Sequence, residues 1–219
     1  MTTAHNLWRS VWRGALGFGL GLALAGLTLG ALHRSIHDFD TGLMLGTLLY
    51  AFAGALGGAA LGLAQQSEDQ AHRCMLAGAI GCGLGMFIVS IIISAYVDYN
   101  ILGEFAWAIV NTIRLSVIGA LTGASLGIAQ KRWKPALWLS SAGALGFGLS
   151  YWASHLLFVV APIIQLIPGA RGEVVHDSIE RAIFWCAWGA VGGIISGACL
   201  GMAHALCGAR RRFQFHSAI

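Results

Sequence analysis

The sequence G-A-L-G-F-G-L-G at residues 14–21 is the stretch that decides the fold. It returns as G-A-I-G-C-G-L-G at residues 78–85 and as G-A-L-G-F-G-L-S at residues 143–150. We call this the first motif. Its glycines lie within apolar segments and without a preceding strand, which is not the context of a dinucleotide-binding loop.

A second motif alternates with the first. It reads G-x-x-x-G-A-x-L-G-x-A, followed by Gln or His, and occupies residues 54–65, 119–130 and 193–204. Both motifs return about every 65 residues, and a fixed period of this kind indicates an internal repeat. The pattern predicts three copies of one two-helix hairpin, at about residues 8–66, 72–131 and 135–206.

The composition is that of a membrane protein. Hydrophobic residues make up 57% of the chain and charged residues only 10%, whereas about a quarter of a soluble domain is charged. A helix of about 20 apolar residues crosses the hydrocarbon core of a bilayer. Such stretches begin near Val11, Leu43, Cys74, Ala106, Ala136 and Ala182. We therefore expect an all-α protein with six transmembrane helices in a single domain, residues 1–219.

The charges predict how the helices are oriented. Lys and Arg in short loops are retained on the cytoplasmic side of a membrane. One side of the expected bundle carries Arg9, Arg13, Arg73, Lys131, Arg132, Lys134 and Arg210 to Arg212. Most of the acidic residues fall on the other side. Both termini, including a basic C-terminal tail at residues 207–219, are therefore expected in the cytoplasm, and the bacterial inner membrane is the default location.

This charge bias also bears on partners. The net charge of +4 follows from the topology, so we expect the lipid bilayer, and no nucleic acid, as the partner of the basic residues.

The glycines predict close helix packing. Gly54, Gly58 and Gly62 are four residues apart and so share one helix face. Small residues on such a face let helix backbones approach in lipid, as in a glycine zipper. The expected packing positions are Gly17, Gly21, Gly54, Gly58, Gly62, Gly81, Gly85, Gly119, Gly123, Gly127, Gly146, Gly193, Gly197 and Gly201. Three equivalent hairpins packed in this way predict a pseudo-three-fold bundle.

A few polar residues within the apolar segments are candidate ligand or permeation sites. Arg114 lies about 24 Å along its helix from Gln130, near the outer edge of the core, where it either snorkels or pairs with Asp98 or Glu104, or binds a ligand. Gln65, Gln130 and His204 share one position of the second motif and would form a polar ring.

Histidine offers a redox interpretation. His33 and His155 are expected on the same side of the membrane, where a pair of facing histidines is able to hold a haem or pigment. Ordinary interfacial hydrogen bonds explain these two residues equally simply, and we expect no cofactor.

Catalytic chemistry has little support in this sequence. No nucleophile, base and orienting acid stand together, and no zinc or nucleotide motif is present. We expect no catalytic residue, no metal ligand and no enzyme activity.

Three functions remain. The first is a non-catalytic scaffold or accessory subunit of a membrane assembly, held to other subunits or to itself by close helix packing. The second is a pore or transporter for a small solute or ion, and the third a haem- or pigment-binding subunit. For the first, the insertion from Pro162 to Asp177 is the expected docking surface, because it lengthens one hairpin only.

Overall fold

The computed structural model describes residues 2–32, 38–64, 67–96, 104–130, 133–160 and 178–216. Every element in these ranges is an α-helix. They are α1 (Thr2–Leu32), α2 (Phe39–Leu63), α3 (Glu68–Tyr96), α4 (Glu104–Ala129), α5 (Trp133–Val160) and α6 (Ser178–His216).

Local signals explain several helix ends. Asp38 caps α2, because its carboxylate accepts a hydrogen bond from the backbone N–H of Thr41 at 3.3 Å. At the other end of α2, the guanidinium of Arg13 donates to the carbonyl oxygen of Leu63, where a cation also complements the helix dipole. Pro135 lies in the first turn of α5, where no intrahelical N–H is needed.

The two terminal helices are longer than expected. Helix α1 begins at Thr2, well before the apolar stretch at Val11, and α6 continues to His216. The segment expected as a basic tail is therefore helical through residue 216. Arg and Ala are good helix formers, so nothing in this segment except Gly208 opposes continuation of the helix.

Five of the helices are long and apolar enough to cross a membrane. These spans are Leu7–Leu32, Phe39–Leu63, Glu68–Ala95, Phe105–Ala129 and Ala182–Cys207. Helix α5 has the necessary length of 28 residues but is absent from this set within the described residues. Six helices are thus present, and the length and composition of five of them match a transmembrane span.

The helices form a ring. Each helix packs against the next in the chain, and α6 returns to pack along α1. The most extensive interfaces are α6·α1, α2·α3 and α4·α5.

Large side chains fill the interior of this ring. Phe18 of α1 meets Phe147 of α5 edge to face, with ring centroids 6.0 Å apart, and both rings are almost completely buried. Leu61, Leu126 and Leu200 are each at most 1% exposed.

The outer surface is apolar on all six helices. Exposed side chains include Leu20, Leu48, Leu84, Ile113, Leu149 and Ile194. A soluble protein seldom exposes so continuous an apolar surface, whereas lipid chains would solvate it.

Candidate functional site

The glycines of the second motif lie against the backbone of the neighbouring helix. A Cβ atom on Gly58 would overlap the carbonyl oxygen of Cys74, and one on Gly123 would overlap that of Leu139. On the third such interface, a Cβ on Gly197 would overlap the carbonyl oxygen of Gly14. These three interfaces have no room for a larger residue at these positions.

The remaining glycines of the second motif also meet a neighbouring helix. Gly54 faces Gly78, Gly62 faces Ala71, Gly119 faces Gly143, Gly127 faces Ala136, Gly193 faces Phe18, and Gly201 faces Ser10. In each case the nearest obstructing atom belongs to the backbone of the opposite helix, and backbone cannot move aside as a flexible side chain can.

A second set of glycines, all from the first motif, packs against the helix that follows in the chain. A Cβ on Gly81 would lie 2.6 Å from Cα of Thr122, and one on Gly146 would lie 3.1 Å from Cα of Ser196. The corresponding contact of Gly17 is with Cα of Gly57 at 3.1 Å. Gly21 and Gly85 make the next contacts along these helices, with Ala53 and Ile118. Helices α1, α3 and α5 are therefore approached closely on two sides.

One interface differs in register. Gly54 and Gly119, which open the second motif, face Gly78 and Gly143, which open the first motif. Between α6 and α1, Gly193 faces Phe18 instead, and Gly197 faces Gly14. The α6·α1 pair is thus shifted by one helical turn, about 5.4 Å, relative to the other two. No residue in the motifs signals this shift.

Small polar side chains connect α3 to α4. Ser125 Oγ donates to the carbonyl oxygen of Ala77 at 2.8 Å, and Cys82 Sγ lies 3.0 Å from Thr122 Oγ1. Thr122 also donates to the carbonyl oxygen of Ile118 in its own helix. These bonds satisfy polar groups that would otherwise be exposed to a low-dielectric interior.

Arg114 contacts α3. Its Nη2 donates to Ser90 Oγ and to Met86 Sδ, each at 3.2 Å, and its charge acts on the phenol of Tyr50 in α2. The residue lies about 13 Å along the axis from Phe105, where the apolar span of α4 begins. It is therefore close to the middle of that span and deeper than the outer edge expected from the sequence. Within the described part of the chain its hydrogen-bond partners are neutral. Asp98 and the side chain of Glu104, the expected acidic partners, lie outside the described residues.

This position is costly for a cation. An arginine at the centre of a transmembrane helix costs about 2.5–3.5 kcal/mol on insertion scales, and such residues mark functional sites by default. Two neutral hydrogen bonds offset only part of that cost.

A cavity of about 70 Å³ lies in the half of the bundle remote from both termini, and its lining includes Leu115, the residue that follows Arg114. Its walls are mostly apolar and come from α1, α2, α4, α5 and α6. The lining includes Leu22, Leu29, Tyr50, Leu115, Phe147, Ser150, Trp185, Trp188 and Gly192. The sequence did not indicate this cavity, because its walls come from five helices far apart in the chain.

His155 lies in an aromatic cluster that includes Trp188, one of the residues that line the cavity. Its ring stacks on that of Tyr151, with centroids 5.9 Å apart and planes 8° apart. Trp152 and Trp188 meet it edge to face at 6.4 Å. His33, the proposed second haem ligand, lies outside the described residues. Stacking on Tyr151 already gives His155 a structural role.

The expected polar ring is described in part. His204 is buried, at 3% exposure, and Gln130 Nε2 is a buried amide nitrogen without a hydrogen-bond partner in the described residues. Gln65 and the insertion from Pro162 to Asp177 lie outside the described residues. In the same described residues, no three His, Cys, Asp or Glu side chains are grouped as a metal site would require.

Fold and site together define an all-helical bundle with apolar outer faces, close glycine contacts and a half-buried arginine, Arg114, within the apolar span of α4. Comparison with known protein families, with curated proteins and with solved structures finds no match to this chain.

Proposed function

We propose that this protein is a multi-pass membrane protein that acts as a non-catalytic scaffold or accessory subunit of a membrane assembly. Its six helices, α5 included, cross the cytoplasmic membrane as three glycine-rich hairpins around a pseudo-three-fold axis. Both termini lie in the cytoplasm.

The environments of equivalent residues support the three-hairpin arrangement. Leu61, Leu126 and Leu200 occupy one position of the second motif, and all three are fully buried. Leu16, Ile80 and Leu145 occupy one position of the first motif, and all three are exposed, at 46%, 56% and 65%. Unrelated helices would not be expected to bury and expose matching positions in this consistent way.

The filled interior is the observation that carries the scaffold proposal. Phe18 and Phe147 are in contact inside the ring, and Leu61, Leu126 and Leu200 are buried around them. A solute crossing along the axis would have to displace these side chains, and close-packed interiors resist such changes. A rigid bundle with an apolar exterior is better suited to hold other membrane subunits in place.

The glycine density supports the same role. Glycine costs about 1 kcal/mol relative to alanine within a helix in water, and the sequence contains 31 glycines. Close backbone contact drives helix association in lipid. It offsets the lower helix propensity of glycine. Rigidity of the bundle itself, with no need for large internal movement, is what a scaffold requires.

Extraction from the native membrane tests the proposal. We expect the tagged protein, expressed at its natural level and extracted in a mild detergent, to elute with stoichiometric partner subunits or as a multimer. A purified preparation in liposomes should pass small ions and solutes no faster than protein-free liposomes. A monomer without partners that conducts ions or solutes would overturn the scaffold and support the pore.

A further inference from the structure

We propose that the half of the bundle remote from the termini binds a small amphipathic carboxylate. Arg114 and Tyr50 would hold its carboxylate group, and the apolar cavity beside Tyr50 would hold its hydrocarbon part. This site goes beyond the scaffold function and does not depend on it.

The guanidinium of Arg114 has the donors for such a ligand. Arginine presents five N–H donors in a planar fork that matches a carboxylate. Within the described residues, the hydrogen bonds of this side chain are made by Nη2 alone, to Ser90 and Met86. The donors on Nε and Nη1 are left for an acceptor that the described chain does not supply. A carboxylate would also neutralise the charge.

The site faces the interior of the bundle. Met86, which the guanidinium touches, is only 8% exposed, and a Cβ atom on Gly46 of α2 would approach its methyl group. Tyr50, also on α2, packs against the buried core. Ionisable residues within membrane spans usually face such an interior or a cavity, where they meet a substrate or counter-ion.

Tyr50 connects the charge to the cavity. Tyr50 lines the cavity and lies one helical turn after Gly46 on α2, and Gly46 faces Met86, which the guanidinium of Arg114 contacts. Leu115, which follows Arg114 directly, lines the same cavity. An anionic group beside the Tyr50 hydroxyl would therefore lie next to both the positive charge and an apolar space.

The volume of the cavity limits the size of the ligand's hydrocarbon group. Leu22, Leu29, Phe147 and Trp188 contribute apolar walls. The volume of about 70 Å³ is about half that of an engineered cavity of about 150 Å³ that holds benzene. A hydrocarbon group of about three or four carbon atoms fits this space, so butyrate is a suitable probe.

Binding to the purified full-length protein in nanodiscs tests the proposal, with butyrate, acetate and the neutral butyramide as probes. Trp185 and Trp188 line the cavity, so their fluorescence reports occupancy, and calorimetry gives the affinity. We expect butyrate to bind saturably, acetate to bind more weakly because it leaves the cavity empty, and butyramide to bind at least about tenfold more weakly than butyrate, since a charge-assisted bond is lost.

Four variants sharpen this test. Arg114→Gln should weaken butyrate binding about tenfold or more, and Arg114→Lys should retain part of it, because the charge remains. Arg73→Gln removes an exposed charge at the opposite end of the bundle and should leave binding unchanged. Gly192→Leu should reduce the binding of butyrate but not of acetate, because Gly192 lines the cavity and a Cβ there meets its nearest neighbour only at 3.5 Å.

Three results would contradict the proposed carboxylate site. Equal binding of butyrate and butyramide, unchanged affinity in Arg114→Gln, or no saturable binding of butyrate at concentrations up to about 10 mM would each overturn the carboxylate site. The extraction experiment would remain valid, because it does not involve this ligand.

Discussion

At the scale of single residues, the contacts of the glycines explain why the chain uses so many. Gly123 lies directly against the backbone of Leu139. Its spacing from Gly119 and Gly127 was enough to predict that it shares a packing face with them. The identity of the opposing residue was not predictable, because helix pairing depends on the whole ring.

Gly123→Ala should destabilise the protein. The new methyl group would overlap the carbonyl oxygen of Leu139 and push α4 away from α5, at a cost of about 1–3 kcal/mol, which is typical of overpacking. The midpoint of thermal unfolding in detergent micelles measures the effect.

Gly192→Ala is the matched control for this substitution. It is also a helical glycine, but its Cβ would lie 3.5 Å or more from the nearest atoms, which are ordinary contacts. The improved helix propensity should leave its stability unchanged or slightly raised. Equal unfolding midpoints for Gly123→Ala and Gly192→Ala would contradict the importance of backbone contact.

For Arg114, the sequence identified the residue but not its contacts. Its position in an apolar segment identified it as a candidate site from the sequence. Its contacts with Met86 and Ser90 depend on how α3 and α4 pack, and the cavity beyond Tyr50 depends on five helices. Neither could be read from local sequence.

At the scale of helices, the pairing within a hairpin gives a direct test. Cys82 of α3 and Thr122 of α4 bring their side-chain atoms within 3.0 Å. Thr122→Cys, with the other native cysteines replaced by alanine, should therefore form a disulfide with Cys82 when an oxidant is added. Mass spectrometry of the digested protein identifies the cross-linked peptide.

Leu121→Cys provides the control for this cross-link. Leu121 neighbours Thr122 in sequence but is exposed on the outer face of α4, so the cysteine there should remain free. A disulfide at residue 121 and none at residue 122 would show that α4 is rotated relative to α3.

For helix α5, the sequence predicted the helix itself better than it predicted a membrane crossing. The first motif predicted a helix at residues 143–150, and a helix is present there. Helix α5 is absent from the set of membrane-length apolar spans in the described residues, although several of its serines find hydrogen-bond partners. Ser150, for example, donates to the carbonyl oxygen of Phe147, which lowers the cost of placing it in lipid. The helix bounds at Thr2 and His216 were not predictable, because the apolar pattern ends before the helices do.

At the scale of the whole molecule, the number of membrane crossings determines whether the two termini lie on the same side of the membrane. If α5 crosses the membrane, six crossings place both termini on the same side. If it does not, five crossings place them on opposite sides. Fusions of green fluorescent protein and of alkaline phosphatase to each terminus distinguish the two cases. We expect fluorescence and no phosphatase activity at both termini; phosphatase activity at either terminus would contradict the cytoplasmic placement.

The three-hairpin arrangement was predicted from the period of the two motifs, and it stays a prediction. The one-turn shift between α6 and α1 was not predictable, since the motifs themselves are unshifted. If the hairpins are equivalent, this shift makes their symmetry approximate by one helical turn between α6 and α1.

Pulsed electron spin resonance measures this arrangement most directly. Spin labels would be placed in pairs at Leu16, Ile80 and Leu145, which occupy equivalent, exposed positions on α1, α3 and α5. The account predicts three nearly equal distances in nanodiscs, differing by no more than the axial offset of one turn, about 5.4 Å. One pair that differs from the other two by more than a helix diameter, about 10 Å, would contradict three equivalent hairpins around a common axis.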